Sequence, residues 1–374
     1  MMHSYFLKLL TLVAFLTSCE EDTTVSNTVV LPSDLQVTID QSPENPALLE
    51  VKANAEKANF FRFYFGEDDD FLEDVDGEIT YTYKSSGQFT LTIQAHATST
   101  DFISQTKQIE VPSPGPQDLI PSAGYSSPES YEGMTLVWRD EFNGSQLDEA
   151  NWSYLQGDGC PDLCGWGNSE LQYYTEDNVS MVEGNLIITA KEESLGGKEY
   201  TSSRLSTKNK RSIQYGRVDI RAALPKGQGL WPALWMLGTN IDEVGWPSCG
   251  EIDIMEMVGG NADGRDNTVH GTVHWFGDGT KADFGGSYSV DEGSFSEMYH
   301  VFSIIWEAQS IRWFVNDQEY HTIDTTPETL SEFQNEFYFL FNVAVGGNWP
   351  GSPDATTKFP QSMIVDYIRV FQPN

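Results

Sequence analysis

Short runs of alternating apolar and polar residues recur along this chain, and no long amphipathic helical pattern interrupts them. Period-two alternation bounded by turn residues is the signature of half-buried strands, so the chain reads as all-β. Runs at 35–39, 61–65 and 89–93 mark a first group, and a dense second series begins at Met134, with runs at 135–138, 185–190, 216–221, 300–306, 311–315, 337–342 and 363–370. Between the two groups, residues 112–116 read Pro-Ser-Pro-Gly-Pro, and Pro and Ser stay frequent up to Glu129. That composition marks a linker. The expected layout is a small β-sandwich at 28–112, a linker at 113–130, and a jelly-roll sandwich of about 240 residues at 131–374. Asn316-Asp317 reads as the turn of a hairpin inside the larger unit.

The amino terminus has a different texture. Lys8 is the only Lys or Arg in residues 1–18, and the apolar run after it, 9–16, is too short to span a bilayer as a helix. It ends in Leu16-Thr17-Ser18-Cys19, which resembles a bacterial lipobox. The resemblance implies a signal peptide over 1–18, cleavage before Cys19 and acylation of that cysteine. Residues 19–27 then form a tether. Glu20, Glu21 and Asp22 follow the cysteine as in lipoproteins displayed on the surface of some Gram-negative bacteria. The expected location is the outer membrane, lipid-anchored and surface-exposed. The alternative is an ordinary secretory signal with a coincidental cysteine. Outside the cytoplasm a local disulfide between Cys160 and Cys164 is reasonable, which leaves Cys249 as a buried thiol.

Charge narrows the partners. A formal net charge of -35 repels phosphate backbones and so excludes nucleic acid; it also disfavours a polyanionic glycan. A neutral polymer carries no such penalty. Ten Trp, sixteen Tyr and twenty-one Phe supply both core and flat faces on which sugar rings stack.

The segment 250–257, Gly-Glu-Ile-Asp-Ile-Met-Glu-Met, carries the chemistry. In a regular strand Glu251 and Asp253 share a face and Glu256 points the other way. Ile252 and Ile254 ask for the core while three acids ask for water or partners. One inserted residue, a β-bulge at Ile254–Met255, returns Glu256 to the face of the other two acids. Crowded carboxyls push one another's pKa values apart, which suits a nucleophile and a general acid in retaining glycoside hydrolysis.

This segment resembles the active-site signature of glycoside hydrolase family sixteen, in its Glu-x-Asp-x-x-Glu form. Segments 166–175, 229–237 and 342–351 resemble stretches of the laminarinase branch, so the likeness covers roughly 134–371. The resemblance implies a concanavalin-like jelly roll with a concave cleft. It makes Glu251 the nucleophile, Glu256 the acid/base and Asp253 the assisting residue. The implied reaction is retaining endo-hydrolysis of β-1,3-glucan, with mixed β-1,3/1,4-glucan as a further substrate. No cofactor is needed for the chemistry. Residues 81–93 resemble part of a polycystic-kidney-disease-type domain, which implies an immunoglobulin-like β-sandwich at 28–112 that acts as a spacer holding the enzyme off the membrane, or as a glycan binder.

Subsite candidates are Trp231, Trp235 and Trp246, with His274 and Trp275 completing the floor and Asn168 and Glu170 binding hydroxyls. His274 is open to a second reading as a satisfied buried histidine, and Glu170 to a structural ion pair with Arg204, itself a candidate substrate contact. Trp138, Trp306 and Trp313 read as core. Many relatives in this family carry a structural Ca²⁺ away from the cleft, and the resemblance maps its ligands onto Glu141, Gly184 and Asp366. The chain is expected to be a monomer. Two rivals stay open: a relative acting on agarose, porphyran or carrageenan, and a non-catalytic surface glycan-binding protein on the same sandwich.

Overall fold

The computed structural model describes residues 29–42, 46–67, 70–83, 86–112, 119–260, 262 and 265–374. The signal segment, the tether and Cys19 lie outside them. The chain divides into two compact units at Pro112/Ser113.

The first unit is a seven-stranded sandwich. Strands Ser33–Gln41, Leu48–Glu56 and Glu78–Thr82 form one sheet, and Leu72–Asp74, Phe60–Tyr64, Gly87–His96 and Phe102–Val111 form the other. Alternate residues of each strand, among them Leu49, Val51, Phe61, Phe63, Leu91 and Ile93, meet in one core. This is the alternation the sequence displays.

The second unit stacks a ten-stranded sheet on an eight-stranded one. The eight-stranded sheet runs in the order Thr280–Ser289, Thr268–Gly277, Glu251–Glu256, Leu230–Gly238, Phe337–Val345, Arg204–Ser206, Ser153–Tyr154, with Ser212–Ile213 also paired to Phe337–Val345. The core lies between the sheets and includes Leu234, Ile252, Phe302, Trp306, Trp313, Phe341 and Val370. Trp306 and Trp313 are fully buried, and Trp138 packs against the cluster with its ring 5.6 Å from that of Phe339. The only α-helix among the described residues is the single turn Ile241–Val244. Asn316 and Asp317 both take positive φ (51° and 66°), the geometry of a tight two-residue hairpin.

Two sequence expectations need correction here. The linker is shorter than 113–130. Leu119 and Ile120 pack against a small cluster with Tyr299 and Ile364, and Tyr125 N–H donates to the Tyr299 carbonyl. Ser127 hydrogen-bonds the Tyr367 hydroxyl through both its N–H and its side chain. Proline and serine frequency reports a lack of regular structure, and an extended segment laid along a sheet satisfies it as well as a free tether. The second correction concerns Trp275, taken up below.

Candidate active site

Glu251–Glu256 is a central strand of the eight-stranded sheet, and its ladder slips by one residue on both sides. Against Leu230–Gly238, Asp253 faces Trp235 while Met255 faces Leu234, so Ile254 has no partner. Against Thr268–Gly277, Asp253 faces Thr272 and Glu256 faces His270. The slip is the bulge that the sequence calls for. Ile252, Ile254, Met255 and Met257 all enter the core, so two successive side chains, 254 and 255, point inward. Glu251, Asp253 and Glu256 are left on the other face.

Burial is severe. Asp253 is 2% exposed and Glu256 9%. Each carboxyl meets a different environment. Glu256 Oε1 accepts a hydrogen bond from Trp231 Nε1 at 2.9 Å, and Glu251 Oε2 accepts one from Trp246 Nε1 at 2.8 Å. His274 Nε2 lies 3.2 Å from Asp253 Oδ2 and 3.7 Å from Glu251 Oε1. Desolvation raises the Glu251 pKa, but His274, the Trp246 hydrogen bond, Lys281 and Arg204 all pull it back. Glu256 rises well above the usual range through desolvation first and then the charges of Asp253 and Glu251, opposed by His274 and the Trp231 bond. Asp253 is also pushed well up, by desolvation and then by Glu251. The site therefore favours a proton on Glu256 and an anion at Glu251, an asymmetry suited to one acid and one nucleophile.

Aromatic rings frame these acids. Trp231 and Trp235 flank Ala233 on the cleft face of their strand, and Ala233 stands opposite Glu256. Trp246 is 46% exposed with Lys281 Nζ 4.7 Å from its ring centroid. Arg204 is held between the rings of Trp166 and Trp235 at 4.5 and 4.8 Å, and its buried Nε has no hydrogen-bond partner. Trp235 Nε1 donates to Asn342 Oδ1 at 2.8 Å.

Some expectations fail. Trp275 is one residue past His274, so it points to the opposite face, where it packs against the core and the Phe333 ring. It is no part of the cleft floor. Glu170 is 4% exposed and accepts hydrogen bonds from Gln172, Tyr174 and, at 3.4 Å, Asn168. Its carboxylate braces the loop instead of facing a ligand, and Asn168 is spent on the same network. Burial raises the Glu170 pKa and Arg204 acts against that rise, but the two side chains form no ion pair within 4.0 Å. His274 is half-buried, and its Nδ1 has no partner, so it is not a satisfied core histidine.

Four residues escaped sequence reasoning. Trp349 is 41% exposed, its ring 5.6 Å from Trp231 and 5.0 Å from His270. It follows a Gly-Gly-Asn turn and precedes Pro-Gly, the same strand-end signal that singles out Trp231 and Trp246. Gly346 in that turn has φ +69°, and a Cβ there would lie 2.5 Å from Leu171 Cδ1, so only glycine fits. His270 and Lys281 carry no local signal, and the 342–351 stretch does not single out Asn342, which opens it; strand pairing brings all three in.

The proposed cation ligands lie on the other sheet. Leu186 pairs with Val365 and Asp140 with Ile368, so Asp366 sits on the last strand between the ends that carry Gly184 and Glu141. The Glu141 carboxylate is taken by Arg369 in two bonds of 2.7 and 2.9 Å, and Asp366 Oδ2 by Arg221 at 2.6 Å. A Cβ at Gly184 would lie 3.1 Å from Asn143 Oδ1 and 3.9 Å from the Glu141 carbonyl oxygen. Cys160 and Cys164 are disulfide-bonded, and Cys249 is a buried free thiol whose pKa burial pushes up to about 11.

Comparison with known proteins agrees with this geometry. Residues 168–369 match the family model described as glycosyl hydrolases family 16. A second model, described as beta-glucan synthesis-associated protein SKN1/KRE6/Sbg1, matches 63–251 and stops short of Asp253 and Glu256. A glucan endo-1,3-beta-glucosidase A1 of Niallia circulans is 39% identical over 67% of this chain, which spans only 40% of that relative's length. A beta-glucanase of Rhodothermus marinus is 43% identical over 63% of this chain and 85% of its own. Among solved structures, the laminarinase catalytic domain of Thermotoga maritima matches 65% of this chain and 100% of its own, with TM-score 0.60 and 44% identity.

Proposed function

This chain belongs to the glycosyl hydrolases of family 16, and from that premise we propose that it hydrolyses internal β-1,3-glucosidic bonds of a neutral β-glucan, with retention of configuration. The observation that carries the reading is the slipped register at Ile254, which leaves three carboxyls on one face in unequal environments. Glu251 attacks the anomeric carbon while Glu256 gives its proton to the departing glycosidic oxygen. The bond from that carbon to the leaving oxygen breaks as the bond to Glu251 forms. Glu256, now an anion, takes a proton from water, which displaces Glu251 and restores both carboxyls. Asp253, against His274 and Glu251, holds the protonation pattern. Trp231, Trp246 and Trp349 offer faces and edges to sugar rings, and Arg204 offers donors to hydroxyls.

The substrate follows from relatives named for β-1,3-glucan and from the acidic surface, which disfavours sulfated galactans. Laminarin, lichenan, agarose and carrageenan offered in parallel, with product sizes measured, test it. The reading expects short oligosaccharides from laminarin, fewer from lichenan and none from the galactans. Products from agarose or carrageenan alone would contradict it, and no product from any would leave a glycan binder.

Three further parts belong to the proposal. Cys19 carries a lipid that anchors a monomer at the outer membrane. Residues 28–112 act as a spacer, or as a second glycan-binding module. A structural Ca²⁺ would be held by the carbonyls of Glu141 and Gly184 and by Asp366, whose Oδ2 also accepts from Arg221; Asn143 Oδ1 lies beside Gly184 and adds an oxygen to that corner. It would tie the end of the strand before Glu141 and the start of the strand after Gly184 to the middle of the last strand, away from the chemistry.

A further inference from the structure

We propose that Glu251, Asp253 and His274 form a binding site for a tetrahedral divalent transition-metal ion of the Zn²⁺ type, and that its occupancy reversibly shuts the cleft. One ligand atom from each of the three residues lies within 4.8 Å of the others. His274 Nε2 stands 3.2 Å from Asp253 Oδ2 and 3.7 Å from Glu251 Oε1. A tetrahedral ion with bonds of about 2.0–2.1 Å to nitrogen and oxygen separates its ligand atoms by about 3.3 Å. The two spacings from His274 Nε2 are already close to that, and the two carboxylate oxygens lie within 4.8 Å of each other.

The second observation is the state of these atoms. Asp253 is 2% exposed, yet its Oδ2 has no hydrogen-bond partner, and neither has His274 Nδ1. The 3.2 Å approach of Asp253 Oδ2 to the imidazole is therefore close but lies off the hydrogen-bonding direction. A buried, unpartnered carboxylate oxygen is costly unless something supplies the missing partner. A metal ion bound through His274 Nε2 supplies that partner to the Asp253 oxygen; Nδ1, on the other side of the ring, is not reached by it.

The surroundings suit such an ion. Trp246 Nε1 holds Glu251 Oε2 and leaves Oε1 toward the imidazole, and Trp313 Nε1 donates to the Asp253 carbonyl at 2.8 Å. Outer contacts of this kind fix the orientation of metal ligands. The fourth position opens on the cleft and would hold water. Ca²⁺ and Mg²⁺ are poor occupants, since they want six or more oxygens in place of an imidazole. Lys281, which acts on both carboxylates, opposes any cation and limits the affinity.

The inhibitory consequence rests on Glu251 being the nucleophile, because the ion takes the electron pair that would attack. The binding itself does not. Titration calorimetry of the full chain with ZnCl₂, in buffer with excess Ca²⁺, should show one saturable site. His274→Gln and Asp253→Asn should each weaken it at least 10-fold while circular dichroism melts stay near wild type. Co²⁺ should give the visible absorption of a tetrahedral complex, bleached by Zn²⁺. Absence of saturable binding, or binding unchanged in His274→Gln, overturns the site. A chain that hydrolyses laminarin but binds no Zn²⁺ sinks this inference alone. A chain that binds Zn²⁺ through His274 but cleaves no laminarin sinks the glucanase reading and leaves the metal site standing.

Discussion

At the scale of single residues, the division of labour between two glutamates is set by what surrounds them. Both are pushed up by desolvation, but Glu251 has a tryptophan N–H, an imidazole, a lysine and an arginine acting against that push, whereas Glu256 has two neighbouring carboxyls adding to it. The acid limb of the activity profile should then follow loss of the Glu251 anion, and the basic limb loss of the Glu256 proton. These are properties of the coupled set, not of isolated groups. Asp253→Asn removes one of the negative charges that help Glu256 keep its proton, so the Glu256 pKa falls. The basic limb of kcat/KM should move to lower pH. A basic limb that stays put or moves up would mean that Asp253 is not coupled to the acid. Trp349 shows where reading single residues stops short: its flanking glycines and proline carry the same signal as Trp246, yet its contact with Trp231 depends on a loop from the far end of the chain.

At the scale of the element, the bulge is the device that lets one strand serve both the core and the chemistry. It was legible in the sequence because alternation and charge conflict there: three acids cannot share a face at positions 251, 253 and 256 without an extra residue. Trp275 was misread for the complementary reason. A cluster of aromatics near a histidine suggests a cleft, but period two sends neighbours to opposite faces, and that rule outweighs proximity. The bulge makes a discriminating prediction about stability. Ile254 and Met255 both enter the core, so Ile254→Ala and Met255→Ala should each cost about 2–5 kcal/mol. In a regular strand one of the two would face the cleft and cost far less. All ten tryptophans lie between residues 138 and 349, so urea unfolding followed by tryptophan fluorescence reports on the larger unit alone. A near-neutral result at either position would contradict the register.

At the scale of the whole molecule, fold class and the order of units were readable because a two-residue period repeats in nearly every element. The pairings that assemble the site were not. His270, Lys281 and Asn342 lie on three different strands, and only the sheet order Thr280–Ser289, Thr268–Gly277, Glu251–Glu256, Leu230–Gly238, Phe337–Val345 brings them to one cleft. The same holds for Glu141, Gly184 and Asp366, which strand pairing along the last strand of the opposite sheet brings close together. If Ca²⁺ joins them, a Ca²⁺ chelator should lower the melting temperature of the larger unit, and restored Ca²⁺ should recover it. An unchanged melting temperature would remove the ion from the account. At the other end of the chain, Cys19→Ala should shift the protein from the membrane fraction to the soluble one; retention at the membrane would sink the lipid anchor.

The central claim is that Glu251 forms a covalent bond to the sugar. A 2-deoxy-2-fluoro laminaribioside with a good leaving group slows breakdown of that intermediate, so intact mass followed by peptide mapping locates the attached glycosyl group. The account predicts one added disaccharide unit per chain, on Glu251, lost when the substitution is Glu251→Gln. A label on Glu256 or elsewhere, or no label from an enzyme that still cleaves laminarin, would contradict it.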